Sequence, residues 1–353
     1  MKYYKLFFAC FGMCIIHFNS FSQTDTIVKA KIIDDGSQNA EKFYNSGIAN
    51  FAAKNYQGAL YDFNQAITLK PDFEKAYYNR GTTKFELKEY KAAIADFNYS
   101  LTVIENPDSY FSRAQSKYAL GDKTGALEDY TKALSIKADH AQAYYYRGQL
   151  KFETEDYKGA IEDYTKAINA KSDYAYAYND RASAKRQLND IDGAISDYNK
   201  ALVVNSDMPF AYNNLGSAKR KKGDFKGAIS SYTEAIALKK DYYIAYNNRG
   251  SAKYDCEDYK GAIDDFTKAI ELKSDYDFAY NNRAAAKFKL KDYTGCVDDC
   301  TKAIQVNKAY GYSYLNRANA KEILRDNGGA CADWKKAVQL GVESAKNYIG
   351  DCK

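Results

Sequence analysis

From residue 40 onward, small, aromatic and charged residues recur at fixed offsets along the chain. Three stretches make the pattern plain: AYYNRGTTKFELKEYKAAIADF from Ala76, AYYYRGQLKFETEDYKGAIEDY from Ala143 and AYNNRGSAKYDCEDYKGAIDDF from Ala245. A small residue anchors each copy, at Gly47, Gly81, Ala114, Gly148, Ala182, Gly216, Gly250, Ala284 and Ala318. Seven of the eight intervals are 34 residues. The interval from Gly81 to Ala114 is 33, one loop residue short near Asn106-Pro107. Four residues before each anchor stands an aromatic, from Phe43 and Tyr77 through to Tyr314. Twelve after it stands Ala or Cys, sixteen after it Phe, Tyr, Cys or Trp, and nineteen after it Ala or Ser.

Spacings of three and four residues put the aromatic and the anchor on one helical stripe, and the later residues on another, so each copy is predicted to hold two helices. Gly or Ala at the anchor, facing Ala in the second helix, lets the two backbones approach closely, and a large aromatic fills the gap at the rim. Acidic residues such as Asp156 before Tyr157 and Asp258 before Tyr259 suit a helix start. One such hairpin cannot bury its apolar face alone, so neighbours must stack into an array with a covered end. Residues 341–353 are expected to supply that cover, as a helix over Val342 to Asp351 with Ala345, Tyr348 and Ile349 turned inward.

These motifs resemble the tetratricopeptide repeat over residues 40–340. The resemblance implies an all-α, right-handed superhelical solenoid of nine helix-turn-helix repeats with a C-terminal cap. Two departures stand out. The family's aromatic three after the anchor is Lys in eight copies, from Lys84 to Lys321, and its inter-repeat proline survives only as Pro71.

Composition narrows the function. The formal charge is +5, of which Lys2 and Lys5 contribute two, leaving +3 once an expected leader is removed. Basic and acidic residues alternate along the chain, where a nucleic-acid binder would segregate them, so no nucleic-acid partner is expected. Residues 1–22 read as a signal peptide. Lys2 and Lys5 precede a mostly apolar run from Leu6 to Phe18, and Ser20-Phe21-Ser22 offers small residues two apart, leaving Gln23 first. Residues 23–39 are a polar lead-in. No later segment is apolar enough to span a membrane, so a periplasmic or secreted location is expected.

Candidate chemistry is sparse. After leader removal His140 is the single histidine, which leaves no His-based triad and no His-rich metal site, and the glycines serve as anchors and turns and form no phosphate loop. No enzymatic activity, cofactor, metal or small-molecule substrate is expected. Cys296 and Cys300, four apart at core positions, read as buried thiols. Cys331, in the last repeat, and Cys352, at the end of the cap, are a candidate disulfide stapling the cap, worth roughly 2–4 kcal/mol. An Arg just before the anchor pairs in pattern with an Asp fifteen after it. The copy anchored at Gly216 lacks both, with Leu215 and Ser231, which suggests ion pairs between the helices of a repeat.

By resemblance, such solenoids bind extended peptides on the concave face of the first helices. Helical spacing places the residues three before, one after and four after the anchor on that stripe. Its first four repeats offer Tyr44, Tyr78, Phe111 and Tyr145 three before the anchor. The next four offer Asn179, Asn213, Asn247 and Asn281, with Arg186 and Arg220 alongside. Aromatics can hold apolar side chains, and amides can pair with a peptide backbone. The same residues can instead pack between repeats. The chaperone-binding clamp of some family members, Lys-Asn-Asn-Lys-Arg over three repeats, is not matched. The expectation is a scaffold binding other proteins or peptides in its groove. The alternative is a structural spacer or assembly subunit of a cell-envelope complex, working through its outer faces or ends.

Overall fold

The computed structural model of the protein describes residues 39–350 and Cys352. The expected leader over residues 1–22, and all of the lead-in except Asn39, lie outside the described residues. The described residues form nine successive helix pairs: α1 (Asn39–Ala52) with α2 (Tyr56–Leu69), α3 (Glu74–Glu86) with α4 (Tyr90–Val103), α5 (Pro107–Ala119) with α6 (Lys123–Ile136), and α7 (Ala141–Glu153) with α8 (Tyr157–Ala170). They continue with α9 (Ala175–Gln187) and α10 (Ile191–Val204), α11 (Pro209–Lys222) and α12 (Phe225–Leu238), and α13 (Tyr243–Asp255) and α14 (Tyr259–Leu272). The last are α15 (Asp277–Lys289) with α16 (Tyr293–Val306), and α17 (Gly311–Ile323) with α18 (Asn327–Gln339). No strand occurs among the described residues. Two compact units divide within α9, at residues 184 and 185. Within the first, consecutive helices pack on one another from α1 to α8, and within the second from α10 to α18.

The core of every repeat but the eighth, where Cys300 takes the place, is one ring seated on the anchor. A Cβ added at Gly81 would lie 2.8 Å from the Phe97 ring, at Gly148 2.8 Å from Tyr164, and at Gly216 2.7 Å from Tyr232. These rings, sixteen after the anchor, are almost wholly buried and belong to the centre of the hairpin. The rim is filled instead by the aromatic four before the anchor, which stays half-buried and, in every repeat but the first and sixth, lies beneath an arginine.

The hairpin turn has its own logic. Seven of the nine turns place a non-glycine residue at positive φ: Lys54, Lys88, Glu155, Asn189, Glu257, Lys291 and Arg325, with Gly121 and Gly223 at the same seat in the others. The next residue caps the second helix. Asp156 Oδ1, for example, accepts from the Gly159 N–H at 3.0 Å, and the missing Cβ of Gly159 makes room for that carboxylate. Repeat two carries Ala92 at the glycine seat and Glu89 at the cap, and its side-chain cap bond is absent.

After α18 the chain makes one 3-10 turn, Glu343–Ala345, and a four-residue helix α19, Lys346–Ile349, instead of the single helix expected over Val342 to Asp351. Ala345 is buried, Tyr348 stacks on Trp334 with centroids 5.2 Å apart, and Ile349 joins the same cluster. Cys331 and Cys352 form a disulfide across this cap, with Cα atoms 5.5 Å apart.

Candidate protein-interaction surface

Two side-chain systems run along the repeats, on different faces of the first helices. The first is ionic. Asp96 receives Arg80 on both carboxylate oxygens, at 2.6 Å on Oδ1 and 2.9 Å on Oδ2, and Lys84 at 2.7 Å on Oδ2. The same triad recurs as Arg113–Asp129–Lys117, Arg147–Asp163–Lys151, Arg249–Asp265–Lys253, Arg283–Asp299–Lys287 and Arg317–Asp333–Lys321. The lysine three after the anchor, a departure from the family pattern in sequence, is thus the third member of a charge cluster. Each arginine also donates to the second helix of the preceding repeat, as Arg80 does to Asn64 Oδ1 at 2.7 Å and Arg249 to Thr233 Oγ1 at 3.2 Å. It lies over the rim tyrosine as well: Arg80 over Tyr77 at 5.0 Å, Arg283 over Tyr280 at 5.7 Å. The aspartates are nearly buried, so the carboxylate needs both cations. Hydrogen bonds to Asp129 and Asp265 raise the pKa of Arg113 and Arg249 above the usual arginine value. The first repeat makes the same seat with neutral donors, Ser46 at 2.6 Å and Asn50 at 2.7 Å from Asp62.

The second system is the stripe expected to form a groove. Its middle is closed by neighbouring repeats. Tyr44 packs on Phe73 at 4.9 Å and its hydroxyl accepts from Asn79 Nδ2 at 2.9 Å. The Tyr78 hydroxyl lies 3.4 Å from Ser112 Oγ. Phe111 packs on His140 at 4.9 Å and near Tyr146 at 5.8 Å. Tyr145 packs on Tyr174 at 4.8 Å and donates to Asp180 Oδ2 at 2.8 Å. In residues 185–350, Asn213 Oδ1 accepts from Asn248 at 3.0 Å, Asn247 Oδ1 from Asn282 at 3.1 Å, and Asn281 Oδ1 from Asn316 at 3.0 Å. Each bond spans 35 residues, so it joins one repeat to the next. The amides expected to offer themselves to a peptide backbone are therefore engaged with the adjacent repeat. Asn179 and Arg186 are buried as well, Asn179 donating to Asp180 Oδ1 at 2.8 Å, and Arg220 pairs with Asp255 of the following repeat.

Asp180 is a buried carboxylate in this stripe. Desolvation pushes its pKa up to about 6, partly offset by hydrogen bonds from Tyr145, Asn179 and Gln149. His140 heads α7: its Nδ1 accepts the Ala143 N–H at 3.2 Å and its Nε2 lies 3.4 Å from Asp108, whose carboxyl is held below the usual range.

The ends of the stripe stay half-open. Four after the anchor, Phe85, Phe152 and Phe288 are half-buried, each edge-on to the tyrosine that opens the second helix: Tyr90, Tyr157 and Tyr293 at 5.2–5.4 Å. Six before the anchor, Ile244, Phe278 and Tyr312 are also half-buried. They border an aromatic ribbon in which Tyr243 meets Tyr276 at 5.0 Å and Phe278 meets Tyr310 at 5.2 Å. The row six before the anchor is not among the rows three before, one after and four after it that helical spacing gives the stripe. Its signal is legible all the same: it reads Glu41, Lys75, Asp108, Gln142, then Tyr176, Phe210, Ile244, Phe278, Tyr312, a switch from polar to apolar.

Cys296 and Cys300 are fully buried against Ala284 and Ala320, and burial pushes the Cys300 thiol up; Cys256 is exposed. Among the described residues no helix is long and apolar enough to cross a membrane.

Models of tetratricopeptide repeats match residues 74–106, 111–176, 148–209 and 243–276, and a TPR-repeat model matches residues 216–255. No curated protein matches the sequence. The structure is similar to a tetratricopeptide repeat protein from Parabacteroides merdae, at 18% identity and a TM-score of 0.57, over 69% of this chain and 97% of that one. It is also similar to the APC/C hetero-tetramer Cut9-Hcn1, at 14% identity and a TM-score of 0.56, over 89% of this chain and 76% of that one. A third neighbour is YrrB, described as a TPR protein with an unusual peptide-binding site, at 22% identity and a TM-score of 0.47, over 52% of this chain and 95% of that one. The helix pairs, the anchored rings and the repeat models agree: the chain is a tetratricopeptide-repeat protein.

Proposed function

We propose that this protein is a scaffold that binds extended segments of other proteins along the first helices of its repeats, and is not an enzyme. The observation that carries the reading is the stripe whose middle is sealed between repeats while its ends stay half-open. The buried tyrosines and asparagines set the spacing of the first helices. Phe85, Phe152, Phe278 and Tyr312 offer the contact area, since half-buried aromatics combine large apolar faces with little entropy to lose. The partner's site is thus moved from the residues three before the anchor to those four after and six before it.

An exported location, periplasmic or secreted, belongs to the same reading. It is supported by Lys2 and Lys5 ahead of the apolar run, and by the Cys331–Cys352 disulfide, which suits an oxidising compartment. Mass measurement of the protein from the cell-envelope fraction would find Gln23 at its start; an intact Met1 there would refute export by cleavage.

A second reading, assembly through the outer surface, is favoured by exposed apolar residues near the ends of second helices, including Val203 at 87% exposure, Leu238 and Val306. Capture of partners from the envelope fraction separates the two. A partner held by the parent protein and lost by the Phe85→Ala, Phe152→Ala, Phe278→Ala, Tyr312→Ala variant, with its melting temperature little changed, supports the groove. A partner lost instead by Val203→Ser, Leu238→Ser supports the outer surface.

A further inference from the structure

The sixth repeat breaks the ionic pattern in one specific way. In six other repeats a nearly buried aspartate is held by an arginine and a lysine of the first helix. Here Leu215 replaces the arginine and is buried, and Ser231 replaces the aspartate, but the lysine is kept. Lys219 Nζ lies 3.1 Å from Ser231 Oγ, and Ser231 in turn donates to the Gly227 carbonyl at 2.9 Å. Among the described residues no carboxylate pairs with Lys219. Its equivalents Lys117, Lys253 and Lys287 are only about a fifth exposed and each holds an aspartate oxygen within 2.9 Å. Lys219 is itself half-buried. A partly desolvated ammonium without a counter-charge is costly, and an incoming anion relieves that cost.

The charge around it agrees. Residues 209–242 carry seven basic and three acidic side chains, whereas residues 243–276 carry five basic and seven acidic. Ser230-Ser231 stand where the seventh repeat has Asp264-Asp265. The neighbouring cations are held elsewhere, Arg220 by Asp255 and Lys222 by Asp192. Lys219 therefore faces an anion-poor surface with its own acceptor removed.

We propose that Lys219 and Ser231 form a carboxylate seat for an acidic side chain of a partner protein. A carboxylate is the fitting anion because the same helix pair seats one in each neighbouring copy of the repeat: the ammonium supplies the charge, and the serine hydroxyl becomes a second donor by turning from the Gly227 carbonyl to the anion. The seat lies well around the first helix from the stripe that forms the groove, by helical spacing. It adds to the scaffold reading a second contact surface, one that selects partners by charge. The inference rests on that reading only for the identity of the ligand as protein.

The test uses a synthetic probe, so its outcome does not depend on which surface a cellular partner uses. A labelled, C-terminally amidated Gly-Ser peptide carrying four glutamates is titrated with the full chain at low salt and read by fluorescence anisotropy, beside the matched glutamine peptide. The glutamate peptide binds and the glutamine peptide does not. Lys219→Gln weakens binding about tenfold, equivalent to about 1.4 kcal/mol. Leu215→Arg with Ser231→Asp, which rebuilds the internal triad and keeps every lysine, weakens it as much while holding or raising the melting temperature. Lys239→Gln, an exposed charge at the far end of α12, leaves binding unchanged. Equal binding by the rebuilt-triad variant, or binding that falls equally with Lys239→Gln, would overturn the proposal, as would absence of binding by the parent chain.

Discussion

The seat three residues before the anchor is filled by rings in the first four repeats, by amides in the next four from Asn179 to Asn281, and by Leu315 in the ninth. Burial is the same: Tyr44 is 4% exposed and Asn281 0%. The chemistry is not. Tyr44, Tyr78, Phe111 and Tyr145 bury large apolar area and meet one to three further rings each. Asn213, Asn247 and Asn281 bury little apolar area and join repeats through one amide bond apiece. Several amide atoms, Asn281 Nδ2, Asn282 Oδ1 and Asn316 Oδ1, have no hydrogen-bond partner among the described residues. The same backbone position thus serves the first four repeats as a hydrophobic core and the sixth to eighth as a hydrogen-bonded ladder with loose ends. A ladder of this kind fixes register more than it adds stability, because its bonds replace bonds to water.

The comparison breaks most sharply on truncation. Tyr145→Ala removes a buried ring and its bond to Asp180, and should cost about 3–5 kcal/mol. Asn247→Ala should cost only about 1–2 kcal/mol, the scale of a lost buried hydrogen bond. Hydrogen exchange of the flanking helices reads the two changes separately, since unfolding in a repeat array can be local. Equal losses would mean that the amide ladder is as strong as the aromatic one.

A smaller effect is expected from the ion triads. Asp265→Ala leaves Arg249 and Lys253 half-buried without their carboxylate, at a cost of about 2–3 kcal/mol after allowing for their partial exposure. Arg249→Leu with Asp265→Ser copies the sixth repeat's exchange into the seventh, and should cost less than the single change. A double variant no better than Asp265→Ala would show that the sixth repeat depends on something beyond that exchange.

How much of this was legible in the sequence differs between the two systems. The helix pairs follow from periodicity alone, because a 34-residue recurrence of small and aromatic residues admits few other packings. The ionic system was half-visible: Arg80 and Asp96 vary together with their counterparts at Leu215 and Ser231. Lys84 passed unnoticed as a partner because it stands at the family's aromatic position. Helical spacing groups the stripe's residues on one side of the first helices, but it gives direction around a helix and not distance to the next repeat. Close packing of first helices, which buries Asn247 and Tyr78, is set by tertiary approach and has no signature in the register of one helix. The switch from Gln142 to Tyr176, six before the anchor, is open to reading and marks where the row turns apolar.

Asp180 is the polar exception on the aromatic side, and its effect has a definite sign. Its folded pKa, about 6, lies above the unfolded value near 4, so the folded state binds the proton more tightly. Stability attached to this group is present at low pH and is lost as pH rises from about 4 to about 6. Asp180→Asn keeps an acceptor for the Tyr145 hydroxyl and removes the buried charge. At neutral pH it should stabilise the first unit by about 2 kcal/mol and flatten its pH dependence across that window. Melting curves at pH 4 and pH 7 check this, and a variant less stable than the parent at pH 7 would show that the charge itself holds Tyr145 and Asn179.

The smallest effect concerns the hairpin turns, where the two units behave alike. Glu155 in one and Glu257 in the other hold φ of 62° and 63°, a conformation that costs a residue with a side chain about 1 kcal/mol. Gly121 and Gly223 occupy the same seat at no such cost. Replacing Glu257 by Gly relieves the strain but loosens the unfolded chain, so the net gain should be about 0.5 kcal/mol, read as a rise of one to a few degrees in melting temperature. The same change at Glu155 should give the same rise, since the turn depends on backbone geometry and not on the ring or amide stripe beside it. Unequal responses would mean that the stripes reach into the turns, and that the difference between the two units extends beyond the first helices.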